Sequence, residues 1–310
     1  MESLPHTSYL IPHTSYRIPH TAYRIPIKYA NIRNSFSSIP PVLAEFIYFV
    51  YIQQHIIMND LKEFLLNRRT IRKYSSEVVG DDLLDDLLKA ACRTSTTGNM
   101  QVYSIIVTKD EEKKRELSPF HFNQKMVTEA PVLLTFCADF NRFNRWCILN
   151  NARPGYDNFL SFITAAIDAL LAAQTFCIAS EARGLGICYL GTTTYMAHKI
   201  IEVLKLPAGV VPVTTITLGW PAEHPGQTDR LPPEAVVHKE VYSDYSDSDI
   251  RRFYSEKEER EDSRQFIREN NKTTLAQVFT DVRYKKEDNV YFSKILLKVL
   301  EEQGFMNNEL

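Results

Sequence analysis

Residues 157–192, DNFLSFITAAIDALLAAQTFCIASEARGLGICYLGT, decide the fold. No Gly or Pro interrupts residues 157–182, and apolar side chains fall on nearly every side of the turn, the pattern of a buried helix. Ala165, Ala166, Ala169, Ala172 and Ala173 would let a neighbouring element approach closely. That neighbour is either a second subunit or the core of one larger domain. Gly184 and Gly186 follow as helix ends compatible with left-handed backbone, and residues 187–190 then read as a strand. A dinucleotide fingerprint has its glycines after a strand and opening a helix. Here the order is reversed and no GxxxxGK[ST] occurs, so the run does not support a Rossmann or P-loop fold.

Working outward, residues 59–67 read as a short helix. DDLLDDLLKAACR at 81–93 is an amphipathic helix with acids in its first turn, where the helix dipole favours them. Those aspartates are helix-start charges rather than metal ligands, since no His or Cys stands beside them at zinc spacing. YSIIVT at 103–108 and PVLLTFCA at 131–138 read as strands, with a charged helix at 109–117 between them. A helix at 195–204 and a last core strand at 210–218 come next. Beyond Pro232 the chain turns polar and helical in pattern. Helices and strands in this irregular order predict an α+β fold rather than a regular βαβ winding.

The 310 residues carry a formal net charge of -2, and the basic residues are scattered, so no field favours nucleic acid or an anionic membrane. Cys92, Cys137, Cys147, Cys177 and Cys188 are odd in number and form no CxxC pair, which points to a reducing, cytoplasmic compartment and to small buried hydrophobes. No HExxH or GxSxG is present, no Ser/His/Asp set follows from spacing, and a lone His such as His121 or His198 reads as structural. Residues 1–57 are different in kind. They repeat PHTSYLI, PHTSYRI, PHTAYRI and PIKYANI, with a Pro in each unit that blocks a continuous helix, so a low-complexity, disordered segment is expected. The apolar core of residues 40–57 runs only over 46–52, far short of the ~20 residues a membrane span needs. Met58 is therefore expected as the natural start, which N-terminal mass spectrometry of the native protein would read directly.

Four stretches carry possible chemistry. Arg68, Arg69, Thr70 and Arg72 close the first short helix; guanidinium forks match phosphate oxygens, although a solvated basic helix end would look the same. TSTTGNMQ at 94–101 is dense in donors and acceptors, suited to a polyhydroxyl chain or a heterocycle edge, and equally to an ordinary loop. Tyr189, Leu190, Gly191 and Thr192 offer a backbone N–H without a Cβ that a flat ring could approach, or simply a turn. Arg230, in the loop after GWP at 219–221, is either a further phosphate arm or an exposed loop arginine.

Taken together, RRTIRKY, TSTTGNMQ, FNQKMVTEAP, the alanine-rich helix ending EARGLGICYLG, and LGWPAE followed by RLP resemble, in this order, the FMN-dependent nitroreductases. The likeness is to the larger oxygen-insensitive bacterial type with a C-terminal extension, and it runs from about Asn59 to the end. It implies a sandwich with a central mixed β-sheet flanked by helices, and a homodimer whose subunits exchange terminal segments. It further implies one FMN per site at the subunit interface, with NADPH or NADH as hydride donor. By position, Arg68, Arg69, Thr70, Arg72 and Arg230 would hold the phosphate and ribityl end, and Thr96 and Asn99 would line the cofactor. Gln124 would meet the flavin ring, and Tyr189, Leu190, Gly191 and Thr192 would lie beside it. Residues 58–240 would be the FMN-binding core and 241–310 a helical extension on the core or on the partner subunit. Some relatives have His where Arg68 stands and Lys where Thr228 stands, so the phosphate charge is redistributed here.

The implied activity is ping-pong hydride transfer to nitroaromatics, quinones or flavins, with the flavin carrying the chemistry and no catalytic side chain required. Its rivals are another reaction on the same fold, such as dehalogenation or flavin fragmentation, a non-catalytic flavin carrier or sensor, and a membrane-tethered structural protein using residues 41–57.

Overall fold

Four strands form the sheet found among the described residues of the computed structural model, which are residues 61–308. The repeat, the apolar segment at 40–57 and the expected start at Met58 lie outside them. From Phe64 onward the chain belongs to a single unit that includes the C-terminal helices. The strands are β1 (Tyr103–Thr108), β2 (Val132–Asp139), β3 (Gly186–Leu190) and β4 (Val210–Gly219), in the order β1-β2-β4-β3. Every pairing is antiparallel, so the described sheet is not the mixed one expected. The reason lies in the connections. α2 (Glu111–Leu117) with α3 (Met126–Glu129) joins β1 to β2, and α6 (Ala197–Leu204) joins β3 to β4. Thr108 pairs with Leu133, and Leu190 with Thr215, so each connection leaves and re-enters nearer the same end of its strand pair, which makes the pair antiparallel. β2 is buried along its whole length, as its unbroken VLLTFCAD run requires. Pro212 sits inside the central strand β4 where the register shifts beside Phe136 and Cys137; a bulge is where a residue without an N–H can be accommodated.

α5 (Phe159–Ala182) covers one face of the sheet, and α1 (Asp81–Ala91) packs against α5. α5 starts at Asn158, whose side chain accepts from the Ser161 N–H. Its Ala169, Ala172, Ala173, Phe176 and Cys177 pack with Leu134, Phe136, Ile187 and Ile216. The small residues thus serve the chain's own core. Truncating a fully buried ring such as Phe176 to Ala typically costs about 3–5 kcal/mol. The helix is not buried all round, however: Leu160, Ile163, Ile167, Leu170 and Leu171 remain exposed on its opposite side. Gly184 has φ 82° and ends the helix as expected. Gly186 does not; it opens β3 and has no positive φ.

α4 (Asn141–Leu149) was not anticipated from the sequence, although Phe143, Trp146 and Cys147 have helical spacing. The C-terminal part forms α7 (Asp247–Glu259, with a Ser246/Asp249 capping box), α8 (Glu261–Glu269), α9 (Leu275–Val278) and α10 (Lys286–Glu302). α10 packs on α6, and Val299, Leu300 and Phe305 join Phe140, Phe162 and Ala165 in a second apolar cluster.

Candidate functional site

Residues 68–75 run as an extended strap beside β3 and the end of β4. The Ile71 N–H donates to the Ile187 carbonyl (3.0 Å), the Ser75 N–H to Trp220 (2.9 Å) and the Ala222 N–H to Lys73 (2.9 Å). Tyr74 is pinned by its hydroxyl, 2.6 Å from Thr217 Oγ1 and 2.8 Å from the Ile71 carbonyl that accepts from it, and burial pushes its phenol pKa up. Glu223 Oε1 accepts from the main-chain N–H groups of both Arg72 (2.7 Å) and Lys73 (3.1 Å). A Cβ on Gly186 would lie 2.6 Å from the Ile71 side chain. That close approach of the strap, and not a helix cap, is why glycine is needed there.

Arg69 and Arg72 are exposed on this strap and Thr70 is half-buried. Arg68 behaves differently: its Nε and Nη2 donate to both oxygens of Glu181, at 3.1 and 3.0 Å. Burial opposes its charge and the Glu181 carboxylate more than compensates, so its pKa is raised. Arg68 therefore fastens the strap to the C-terminal end of α5. Arg230 is exposed and donates within its own loop, to Thr228 Oγ1 and the Asp229 carbonyl, each at 2.8 Å. That loop is tied to the start of the strap by Gln227, whose amide donates to the Leu66 carbonyl at 2.6 Å.

Gln124 and Arg72 line one concavity of about 410 Å³ with Lys73, Lys125, Met126 and Glu129. The Gln124 amide donates to the His121 carbonyl (3.0 Å), closing a turn in which Phe122 and Asn123 take φ of 55° and 53°. His121 Nδ1 lies 2.9 Å from Thr192 Oγ1, so the Gln124 turn is joined to the turn after β3. Desolvation lowers the His121 pKa to about 4, so the ring is neutral at pH 7. Leu190 is buried, whereas a Cβ on Gly191 would meet nothing within 4 Å. The Tyr189 hydroxyl donates to Gln174 on α5 (3.2 Å), and burial pushes its phenol pKa up.

Thr96 and Asn99 are held elsewhere. Asp168, fully buried in the middle of α5, accepts from the N–H groups of Thr97 (2.8 Å) and Val102 (3.3 Å), and Thr175 donates to Thr94 (3.0 Å). Between them Gly98, Asn99 and Gln101 all take left-handed φ, and Arg142 donates to the Gln101 and Tyr103 carbonyls. Asn99 lines a separate open cleft of about 800 Å³ with Cys92, Tyr103, Arg142 and Trp146. Thirteen residues separate Asp168 from Glu181 on α5, about 20 Å at 1.5 Å per residue. The 94–101 loop is thus anchored along α5 from Asp168 to Thr175, the latter beside the Gln174 that holds Tyr189, while Asn99 faces a cleft separate from the Arg72–Gln124 concavity.

His121, Asp168, Glu181 and Glu223 were missed by sequence reasoning as positioning residues. Only Asp168 carried a readable signal, a lone acid inside an apolar helix. Four of the cysteines are buried, and burial pushes the thiol pKa of Cys137, Cys177 and Cys188 up, as expected of small hydrophobes; Cys92 is exposed.

Comparison with known proteins gives the family. Residues 65–220 match the profile described as Nitroreductase family. The "FMN reductase (NADPH)" of Bacillus subtilis strain 168 is 38% identical over 188 residues, 60% of this chain and 76% of that protein. A Bacteroides fragilis NCTC 9343 crystal structure, described as a candidate oxidoreductase, is 58% identical with a TM-score of 0.78, covering 79% of this chain and all of that one. The NfrA1 nitroreductase of B. subtilis is 32% identical with a TM-score of 0.71, covering 80% and 100%. With half of its length matched by the family profile, the chain belongs to the nitroreductase family.

Proposed function

We propose that the protein is an FMN-dependent NAD(P)H oxidoreductase that reduces nitroaromatics, quinones or flavins, and that it works as a homodimer in the cytoplasm. The observation that carries this reading is the meeting of Arg72 and Gln124 in one concavity, beside a strap that exposes Arg69 and lies next to the Arg230 loop. The residues fit the coenzyme. Arg69, Arg72 and Arg230 would hold its phosphate, with Thr70 at the ribityl end. Gln124, its amide nitrogen bonded to the His121 carbonyl, would offer its carboxamide oxygen to a polar ring edge, and Gly191 leaves open space where a side chain would obstruct a flat ring. Bound FMN supplies two-electron transfer between a nicotinamide nucleotide and the acceptor. The chain supplies positioning: the His121–Thr192 bond fixes the Gln124 turn against the Gly191 turn, and the Arg68–Glu181 pair fixes the strap. Backbone N–H groups of residues 191 and 192 would stabilise negative charge on the reduced ring.

Two features support a dimer. The exposed side of α5 carries Leu160, Ile163, Ile167 and Leu170, an apolar row at 3,4,3 spacing. Asn99, in the loop that carries Thr96, lines a cleft separate from the Arg72–Gln124 concavity, so Thr96 and Asn99 would line the coenzyme held by a second copy. Free cysteines, mostly buried, support a reducing compartment.

The test is direct. The purified protein is expected to be yellow, to bleach on anaerobic addition of NADPH or NADH, and to regain colour with a nitroaromatic or quinone. Colourless protein that takes up no added FMN would refute the assignment; bound FMN that no nicotinamide nucleotide bleaches would refute the activity.

A further inference from the structure

Three segments that lie far apart in the chain bring their aromatic rings together beside the candidate site. Phe122 belongs to the Gln124 turn, Tyr195 to the turn that begins at Gly191, and Phe292 to α10. Tyr195 and Phe292 are stacked, with centroids 4.6 Å apart and planes at 11°. Phe122 lies 6.4 Å from Tyr195 and 6.2 Å from Phe292, and Tyr291 meets Phe292 edge-on at 5.3 Å. These are the separations at which aromatic pairs attract one another beyond the burial of their area. Phe122 has φ 55°, a left-handed conformation that a bulky residue adopts only when its surroundings hold it there.

The same two turns are already joined underneath by the buried His121–Thr192 bond. That bond fixes one point of contact between them on the buried side, where Met126, Val127, Cys188 and Leu190 also share an apolar cluster. The aromatic group adds a second point, and Phe292 carries it onto a 17-residue helix that is itself anchored by Val299 and Leu300 in the core. We infer that Phe292 and Tyr195 are positioning residues: through their stack the C-terminal helix α10 sets the placement of the Gln124 turn against the Gly191–Thr192 turn, and with it the polar environment of the flavin ring, while the phosphate end is left to the strap. This rests on the functional reading above for its consequence, but not for its structural content.

The test uses the full chain with Phe292→Ala, and Phe292→Tyr as the conservative variant. Hydrogen exchange on FMN-free protein reads the structural claim. In Phe292→Ala, amides of residues 122–124 and 193–196 are expected to exchange at least threefold faster, with β2 unchanged, and Phe292→Tyr should restore wild-type protection. On FMN-loaded protein, Phe292→Ala should change the visible circular dichroism of the flavin and raise KM for a quinone at least fivefold. Its Kd for FMN should stay within about threefold of wild type. Should Phe292→Ala fail to fold, Phe122→Ala, at a half-exposed ring, is expected to give the same pattern. Unchanged exchange in both turns overturns the inference, as does a loss of FMN affinity with no change in the flavin spectrum. Wild-type protein that binds no FMN would sink the functional reading, and the exchange measurement would still decide the bridge.

Discussion

His121 is a neutral ring in a closed pocket, and pH should reveal it. Its folded-state pKa of about 4 lies below the ordinary 6.5, so between these values the unfolded chain binds a proton that the native one refuses. Stability contributed by this residue is therefore intact above about pH 6.5 and falls as pH drops toward 4, by on the order of 3 kcal/mol over the window. Replacing His121 with Asn should flatten the fall of Tm between pH 6.5 and 5 relative to wild type; an unchanged slope would show that the ring is not buried neutral. Arg72 belongs to the same scale. If it makes one charge-assisted bond to phosphate, Arg72→Ala weakens FMN binding by roughly 1.5–3 kcal/mol, or one to two decades in Kd. Flavin fluorescence quenching measures this, and equal affinity would remove Arg72 from the phosphate site. Single-residue roles were only partly legible in the sequence. Arg68 and Arg72 look alike as letters in RRTIR, and only the position of Glu181 on a helix 113 residues later separates a fastening arginine from the exposed ones.

At the scale of elements, the strap and β3 form a fitted pair. Gly186→Ala would place a methyl carbon 2.6 Å from Ile71, so the strap must move or the core must strain. Overpacking of this kind costs about 1–3 kcal/mol. The variant should lose thermal stability and FMN affinity together, whereas Gly191→Ala, with open space around it, should keep its stability; calorimetry on the FMN-free proteins separates the two. Elements were the most legible part of the sequence. The strand over residues 103–108 matches β1 at both ends, because β-branched content and turn signals are local. α4 was not seen, since its apolar residues cover only a partial stripe among polar ones. The antiparallel sheet was not legible either, because strand order depends on where the helical connections return the chain.

Over the whole molecule, the long helix explains why one surface looks unfinished. An all-round apolar pattern signals burial, but the chain's own sheet covers only one side of α5, leaving Ile163, Ile167 and Leu170 exposed. The sequence pattern predicts burial on every side, and the chain itself buries only the side that meets the sheet. On the proposed dimer, Ile167→Arg should leave the FMN-free fold intact, shift the protein to monomer by light scattering, and lower flavin content by withdrawing the Thr96 and Asn99 proposed to line the partner's coenzyme. A dimeric variant with full flavin would rule out this face as the interface.

The strap also has a consequence for the chain outside its chemistry. β3 ends the sheet, and the Ile71 N–H occupies the Ile187 carbonyl that another polypeptide could otherwise use for strand pairing. The segment proposed to hold the coenzyme thus doubles as a guard against fibre-like self-association. Variants that displace the strap, Gly186→Ala among them, should be the ones that precipitate.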